Sequence, residues 1–453
     1  MSARWLGVFG VPPIGIRALA AFRAVLGVGF LCILLIDAIA IVAPADQHAF
    51  SPLANVEWAR WLAASPPAMR VLQVTGCAAA LLFALGVRPR LSYPLLVVVL
   101  LLRTLVLLLR RGVHDWDLPI VTLLALLAVP WANAPPLLQL YRARRDAVVD
   151  DRRSYAAGFA IWVPGLTIGL AFAAAAYAKL SYSGVAWITS GAVRYHFVQD
   201  GGNAPSGLGL WIAAHPMLSV ALALGAVLVE ALFIFVVFTS SWRRRALFGA
   251  AGLALMTGFY LFQGVRWWPW LIFFAAFLPW QRGQARAGVR QDLTWVHAAV
   301  VVLLVGVQVF ASAQRLEVEP LVSNYPMYSH TFESPAEFDR WSVRVRFEAS
   351  GVDITDRVEI ADGDNTLHAI ARETIERGAP TDASLRELAE FRGAYAERYG
   401  ELPPAIDVIE VSHPFDWEAG RYLPPTSRRL GAVELAIGII DKPTRSGGAS
   451  SDP

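Results

Sequence analysis

Long apolar runs separated by short polar connectors fill the first two thirds of the chain. Nine of them read as candidate membrane spans, at residues 17–43, 70–87, 91–110, 117–134, 156–180, 216–239, 245–264, 267–281 and 294–313. A helix needs roughly 20 apolar residues to cross the hydrocarbon core. The second, fourth and eighth runs are short, so they are expected to tilt, thin the bilayer or be partly re-entrant. Beyond residue 313 the pattern changes. Trp341, Val343, Val345 and Phe347 alternate as in a half-buried strand, and a turn near Gly351 leads to a second strand over 352–360. Asp364 and Asp382 are placed to cap helices over 365–377 and 383–399, and 405–412 and 431–440 read as further strands. The expected fold is mainly α: a polytopic transmembrane bundle of about nine helices (1–313), then a small α+β domain (314–441). The Ser/Gly-rich end (442–453) is expected to be disordered.

Composition supports this division. Charged residues make up 17% of the chain and hydrophobic residues 56%, with mean hydropathy +0.48. A soluble protein of this length would need more polar surface. Residues 314–453 carry a net charge of −10 and the remainder +13. The basic excess sits in alternate connectors, which encodes orientation and does not suggest nucleic acid. Arg88 and Arg90 follow the second run, and Arg142, Arg144, Arg145, Arg152 and Arg153 follow the fourth. Arg243–Arg245 follow the sixth, and Arg282, Arg286 and Arg290 the eighth; Arg110 and Arg111 depart from the pattern. The arrangement predicts a multi-pass cell-membrane protein with a cytoplasmic N-terminus and, given an odd number of spans, an extracytoplasmic tail. Arg17 and Arg23 open a long first run with no small-residue cleavage site behind it, so it reads as a retained anchor. Cys32 and Cys77 lie in apolar runs and the tail has no cysteine, so disulfides are not expected there.

Lysine usage singles out one position. The chain has 37 arginines and two lysines, Lys442 in the C-terminal end and Lys179 in the apolar Ala-Tyr-Ala-Lys-Leu. Lysine can surrender its proton when desolvated and arginine effectively cannot. Lys179 is therefore a candidate base or nucleophile, weighed against a lysine that snorkels to the interface. His114, in Val-His-Asp-Trp-Asp between the third and fourth runs, is a candidate proton shuttle or metal ligand weighed against a solvated polar loop. Tyr325, Met327 and His330, just after the last run, suit either an interfacial aromatic segment or the wall of a site for a flat apolar ligand. Gln263, Arg266, Trp267 and Trp268 form a polar-aromatic cluster between the seventh and eighth runs. The loop 181–215, rich in aromatics such as Trp187, Tyr195 and Phe197, suggests an interfacial helix near 184–198. Arg23, Asp37, Arg103 and Glu230 fall inside runs and are expected to find polar partners. By the predicted topology His114, Lys179, Trp267 and the 325–330 cluster share the non-cytoplasmic face. No phosphate loop, zinc spacing or nucleophile elbow is present in the sequence.

At these residues the chain resembles the HTTM (horizontally transferred transmembrane) family, which includes the vitamin K-dependent gamma-carboxylases. The resemblance runs over about residues 15–335 and lies mainly in the order of short motifs. Ala21-Phe22-Arg23 through Gly27 is similar to the opening helix, and His114-Asp-Trp-x-Leu to a His-x-Tyr-Leu segment. Tyr177-Ala-Lys179-Leu180, followed by Trp187 and Gly191, is similar to the segment bearing the catalytic lysine. Val229-Glu230-Ala-Leu resembles a later helix, and Met327-x-x-His330 a stretch near the quinol site. The resemblance implies a cofactor, a reduced quinone (vitamin K hydroquinone or menaquinol), bound near Tyr325, Met327, His330 and Trp268. It implies that Lys179 deprotonates the quinol, whose reaction with oxygen yields a strong base for carboxylating a glutamyl side chain. His114 would stabilise charge or relay a proton, and Glu230 would support the fold. The sequence departs at Met256-Thr257-Gly258-Phe259, where the family usually has a histidine, and its tail is shorter than in animal carboxylases. The Arg- and Ala-rich composition suggests a bacterium, and hence menaquinol.

Two functions follow. One is a quinol-dependent carboxylase or epoxidase, a lyase or oxygenase acting on a peptide or protein substrate at the outer face. The other is a non-enzymatic membrane partner in maturation or export, binding through the acidic tail. The absence of an inverted repeat speaks against a transporter.

Overall fold

The computed structural model describes residues 10–36, 56–109, 114–139, 141, 153–281, 288–316, 323, 328–362, 366–377, 381–400, 402, 405–434 and 439–441. The chain divides into two compact units. The first comprises Met1–Ala40, Pro66–Leu107 and Gly112–Glu333, and the second Ile41–Ser65, Leu108–Arg111 and Ser334–Pro453. The helical unit therefore runs on past the expected boundary at residue 313.

Eight helices frame the first unit: α1 (Ile16–Ile36), α2 (Pro66–Leu85), α3 (Pro89–Leu108), α4 (His114–Ala125), α5 (Tyr155–Ser183), α6 (Pro216–Phe233), α7 (Trp242–Gln263) and α8 (Trp295–Gln314). All but α4 are long and apolar enough to span a bilayer, with α6 continuing as a 3-10 turn to Phe238. This is a multi-pass helical membrane protein. Two of the nine expected runs take other forms. The fourth is a pair of helical pieces bent by 64°. Val129, the residue before Pro130, is extended, as the proline ring requires, and this ends the first piece. The eighth is the short apolar helix Trp268–Phe277.

Arg23 of α1 reads directly on the broken fourth run. Its guanidinium donates to the carbonyls of Ala134 (2.9 Å) and Pro135 (2.8 Å), which the break leaves without helical partners. The close turn between α2 and α3 makes room for it, since a Cβ on Gly86 (φ +80°) would collide with the guanidinium. Gly27 lets α1 lie against the Ala84 backbone of α2.

α5 is the most buried of the seven spanning helices and packs on α1, α4, α6, α8 and the 3-10 turns 234–238 and 272–277. A three-stranded ribbon of residues 14–15, 153–154 and 289–290 joins the chain just before α1 and α5 to a segment shortly before α8. Asp292 locks it, accepting from Ser154 Oγ and the Ala156 N–H. The starts of α1, α5 and α8 therefore lie at one end of the unit.

The second unit is α+β. Strands β1 (Arg344–Ala349), β2 (Val352–Asp353), β3 (Ala405–Ser412), β4 (Thr426–Glu434) and β5 (Ile439–Asp441) form an antiparallel sheet in the order β5-β4-β3-β1-β2. Helices α9 (Thr355–Asp362), α10 (Thr366–Arg377) and α11 (Asp382–Tyr399) contribute Val358, Leu367, Ile370, Leu388 and Phe391 to a core shared with Phe347, Ile406 and Val408. The second strand expected over 352–360 stops after two residues. The Asp353 carboxylate accepts from the Thr355 N–H and hydroxyl and turns the chain into α9. Thr381 caps α11 in place of Asp382, accepting from the Ser384 N–H. Trp341 ends a short helix instead of joining β1. Asp364 and residues 442–453 lie outside the described residues.

Candidate functional site

Lys179 is held in a buried ion pair within the helical unit. Its ammonium donates to both oxygens of Glu230, at 2.9 and 3.0 Å, and both side chains are almost wholly buried. The face of Trp187 lies 5.4 Å from the ammonium, a cation–π contact. Lys179 stands near the C-terminal end of α5, where sequence reading puts it close to an interface. Its partner changes that placement. Glu230 lies about 21 Å along α6 from Pro216, at 1.5 Å per residue, and well short of Phe238 at the other end. The pair therefore sits deep within the 216–238 span.

The chain covers the pair by folding back on itself. After α5 ends at Gly184, short helices at Ala186–Thr189 and Val193–Asp200 pack against α6, with Trp187, Tyr195, His196 and Phe197 buried. This replaces the interfacial helix expected over 184–198. Gly191 makes the approach possible, because its φ of +63° is a glycine conformation and a Cβ would press on Ser219 and the Val220 N–H.

Residues 328–332 are strapped across this cover. Ser183 Oγ donates to the Ser329 carbonyl (2.6 Å) and Trp187 Nε1 to the Tyr328 carbonyl (2.7 Å). Ser190 and Thr331 share a hydroxyl contact of 2.5 Å, and His196 Nε2 lies 3.0 Å from the His330 carbonyl. Burial, with Lys179 nearby, pushes His196 down to about 4, against the opposing pull of its bonds to the His330 carbonyl and Gln199. It is neutral at pH 7. Burial and the neighbouring Asp200 carboxylate hold the Tyr328 phenol well above its ordinary range.

An apolar pocket opens beside the pair. Phe172, Met256, Phe259, Trp267, Trp270 and Tyr328 line it together with Lys179 and Glu230. As it stands the space between these side chains suits a few ordered waters. The Trp267 indole N–H is buried and makes no hydrogen bond among the described residues. A second, polar pocket is lined by Asp200, Asn203, Gln263, Arg266 and, again, Tyr328.

The predicted site residues distribute unevenly over this geometry. Lys179 is central. His114 is the first residue of α4, not a loop residue, and α4 packs on the short helix Trp268–Leu271 beside the pocket. Trp268 itself is exposed against Tyr260, while its neighbours Trp267 and Trp270 line the pocket. His330 contributes its carbonyl to the strap and its ring is exposed, facing Tyr182. Tyr325, Met327 and Asp37 lie outside the described residues. Glu230, assigned only a supporting role from sequence, is the direct partner of Lys179. Arg103 stacks on Trp116 at 4.6 Å. Tyr328 fell within the 325–330 cluster and Met256 within the stretch where the resemblance departs, but neither was assigned to the site, because each is one more apolar-compatible residue until the strap and α7 are placed. Among the described residues, no cluster of three or more His, Cys, Asp or Glu side chains is arranged to hold a metal ion.

Fold and site thus define a multi-pass helical membrane protein with a covered lysine–glutamate pair on the wall of an apolar pocket. No family model, curated protein or solved structure matches the chain.

Proposed function

We propose that the chain is a quinol-dependent membrane enzyme of the HTTM and gamma-carboxylase kind, with Lys179 as its base. One observation carries the reading: an ion pair held deep in a spanning segment, on the wall of an aromatic pocket. Intramembrane charge is expensive, and a pair that served packing alone is replaceable by apolar side chains at little or no cost. The chain's avoidance of lysine elsewhere points the same way.

The lining fits a reduced quinone in kind. Phe172, Phe259 and Trp270 offer ring faces, and the Trp267 N–H, without a hydrogen-bond partner among the described residues, suits a ring oxygen. Met256, unbranched and adaptable, is the side chain to yield when a ring enters. A bound quinol supplies the oxidisable ring and its acidic hydroxyl. Glu230 holds the Lys179 amine at the pocket wall and takes up or returns its proton. Trp187 fixes the amine from the other side, and the cover 184–215 limits entry of water. His114, at the start of α4, serves as a charge-stabilising or relay group. A peptide or protein is the expected second substrate.

The parity of the fold supports nine crossings. With α1, α5 and α8 starting at one end, an even number of crossings separates each start from the next. The bent fourth run and the short Trp268–Phe277 segment then each count as a passage. Arginine placement supports a cytoplasmic N-terminus and puts the acidic α+β unit on the extracytoplasmic side.

Native mass spectrometry of detergent-purified protein is expected to find a co-purifying quinone. Lys179→Arg is expected to abolish quinol turnover while the protein still folds, because arginine cannot serve as a neutral base. Unchanged turnover in that variant sinks the proposal.

A further inference from the structure

The wall around Lys179 and Glu230 is otherwise apolar, so protons exchanged by the pair need a way through it. Among the described residues lining that pocket, Tyr328 contributes the one hydroxyl. Trp267 and Trp270 offer indole N–H groups, which donate but cannot accept and so cannot pass a proton onward. Tyr328 is also a wall of the polar pocket that holds Asp200, Asn203, Gln263 and Arg266. Its phenol is hydrogen-bonded to the Asp200 side chain.

The position of this phenol is over-determined. Tyr328 is held in the left-handed backbone region (φ 59°), which few non-glycine residues adopt without support. The support is its carbonyl, which accepts from Trp187, and its ring, which stacks on Phe259 at 6.3 Å and meets the edge of His196 at 4.9 Å. On the polar side, Gln263 Oε1 is buried with no hydrogen-bond partner among the described residues, so an ordered water is well placed there.

We infer that Tyr328 and Asp200 form the proton route between the buried Lys179–Glu230 pair and the polar pocket. A water held by the pair takes a proton from the Lys179 ammonium as it gives one to Tyr328 Oη, leaving the neutral amine, while the phenol passes its own proton to an Asp200 carboxylate oxygen. One O–H bond forms at the phenol oxygen as another breaks, and Asp200 then releases the proton to water in the polar pocket. Rotation of the phenol hydroxyl resets the relay, and no oxidant or reductant enters. The inference rests on the acid–base reading of the pair, but it can be tested without a quinol.

The chain's two lysines make the test selective. In full-length protein carrying Lys442→Arg and isotope-labelled lysine, the one remaining Nζ signal belongs to Lys179. Its proton exchange after dilution into deuterium oxide is followed by NMR in detergent. Tyr328→Phe and Asp200→Asn both preserve shape, and each is expected to slow exchange roughly a hundredfold, the lower end for a positioned proton-transfer group. A thermal melt confirms that each variant is folded, and Asp200→Asn carries the test if Tyr328→Phe is not. Exchange as fast as in the parent, in either folded variant, overturns the route. Absence of a bound quinone counts against the proposed activity alone and leaves the exchange comparison standing.

Discussion

Substituting Glu230 by glutamine removes one charge from the core of the helical unit and little else. Glutamine keeps the shape and accepts one hydrogen bond from Lys179, but the ammonium is left almost fully buried without a counter-charge. Breaking a buried pair by removing one partner costs about 3–5 kcal/mol. Glu230→Gln is therefore expected to lose about 3–5 kcal/mol. Lys179→Met alone should lose a comparable amount, because it strands the carboxylate. The double variant, with an apolar group opposite a neutral amide, should recover most of the loss. The assay is a double-mutant cycle on reversible unfolding in mixed detergent. A coupling energy near zero, or a Glu230→Gln protein as stable as the parent, refutes the claim that charge pairing fixes Lys179 in place.

Other outcomes are expected from the same structure. His196 is depressed to about 4 in the folded state, so its neutral form stabilises the fold above pH 6.5 and that contribution drains away as the pH falls toward 4. The loss is about 3 kcal/mol, and His196→Gln should flatten the acid limb of a pH-dependent melt. Gly27→Ala drives a Cβ to within 2.8 Å of the Ala84 backbone and should cost about 1–3 kcal/mol, read as a lowered melting temperature. In the α+β unit, Glu410 is buried and accepts from Arg372 and Arg428, and His368 lies 3.4 Å away. Burial pushes the Glu410 carboxyl up, but these partners outweigh burial and leave it below the usual carboxylate range. Its stabilisation is thus present at neutral pH and lost as the pH falls through the carboxylate range. Glu410→Gln should cost about 1–2 kcal/mol, a modest figure because both arginines are largely exposed. Single-cysteine labelling at Gly351 in intact cells should react from outside, and labelling only after lysis refutes the proposed orientation.

The sequence by itself determined the membrane class, because the cost of leaving backbone and charge in hydrocarbon is written residue by residue. Every expected span has a helical counterpart, and seven are continuous helices of spanning length. It also singled out Lys179, since a residue used twice in 453 positions stands apart from 37 arginines. Depth and partnership were not legible. Lys179 reads as a span-end residue until α6, whose own register places Glu230 deep within its span, is packed against α5. Trp187 and His196 read as interfacial until the segment after α5 folds back along α6 and buries them. The segment 328–332 reads either as an interfacial aromatic stretch or as the wall of a site until Ser183 and three side chains of that cover bind it. Hydrophobicity is a local property and reports which segments leave water. The pairing of two charges 51 positions apart is settled only by which helices pack together and in which register, so the predicted base acquired its partner, its cover and its pocket from the tertiary structure.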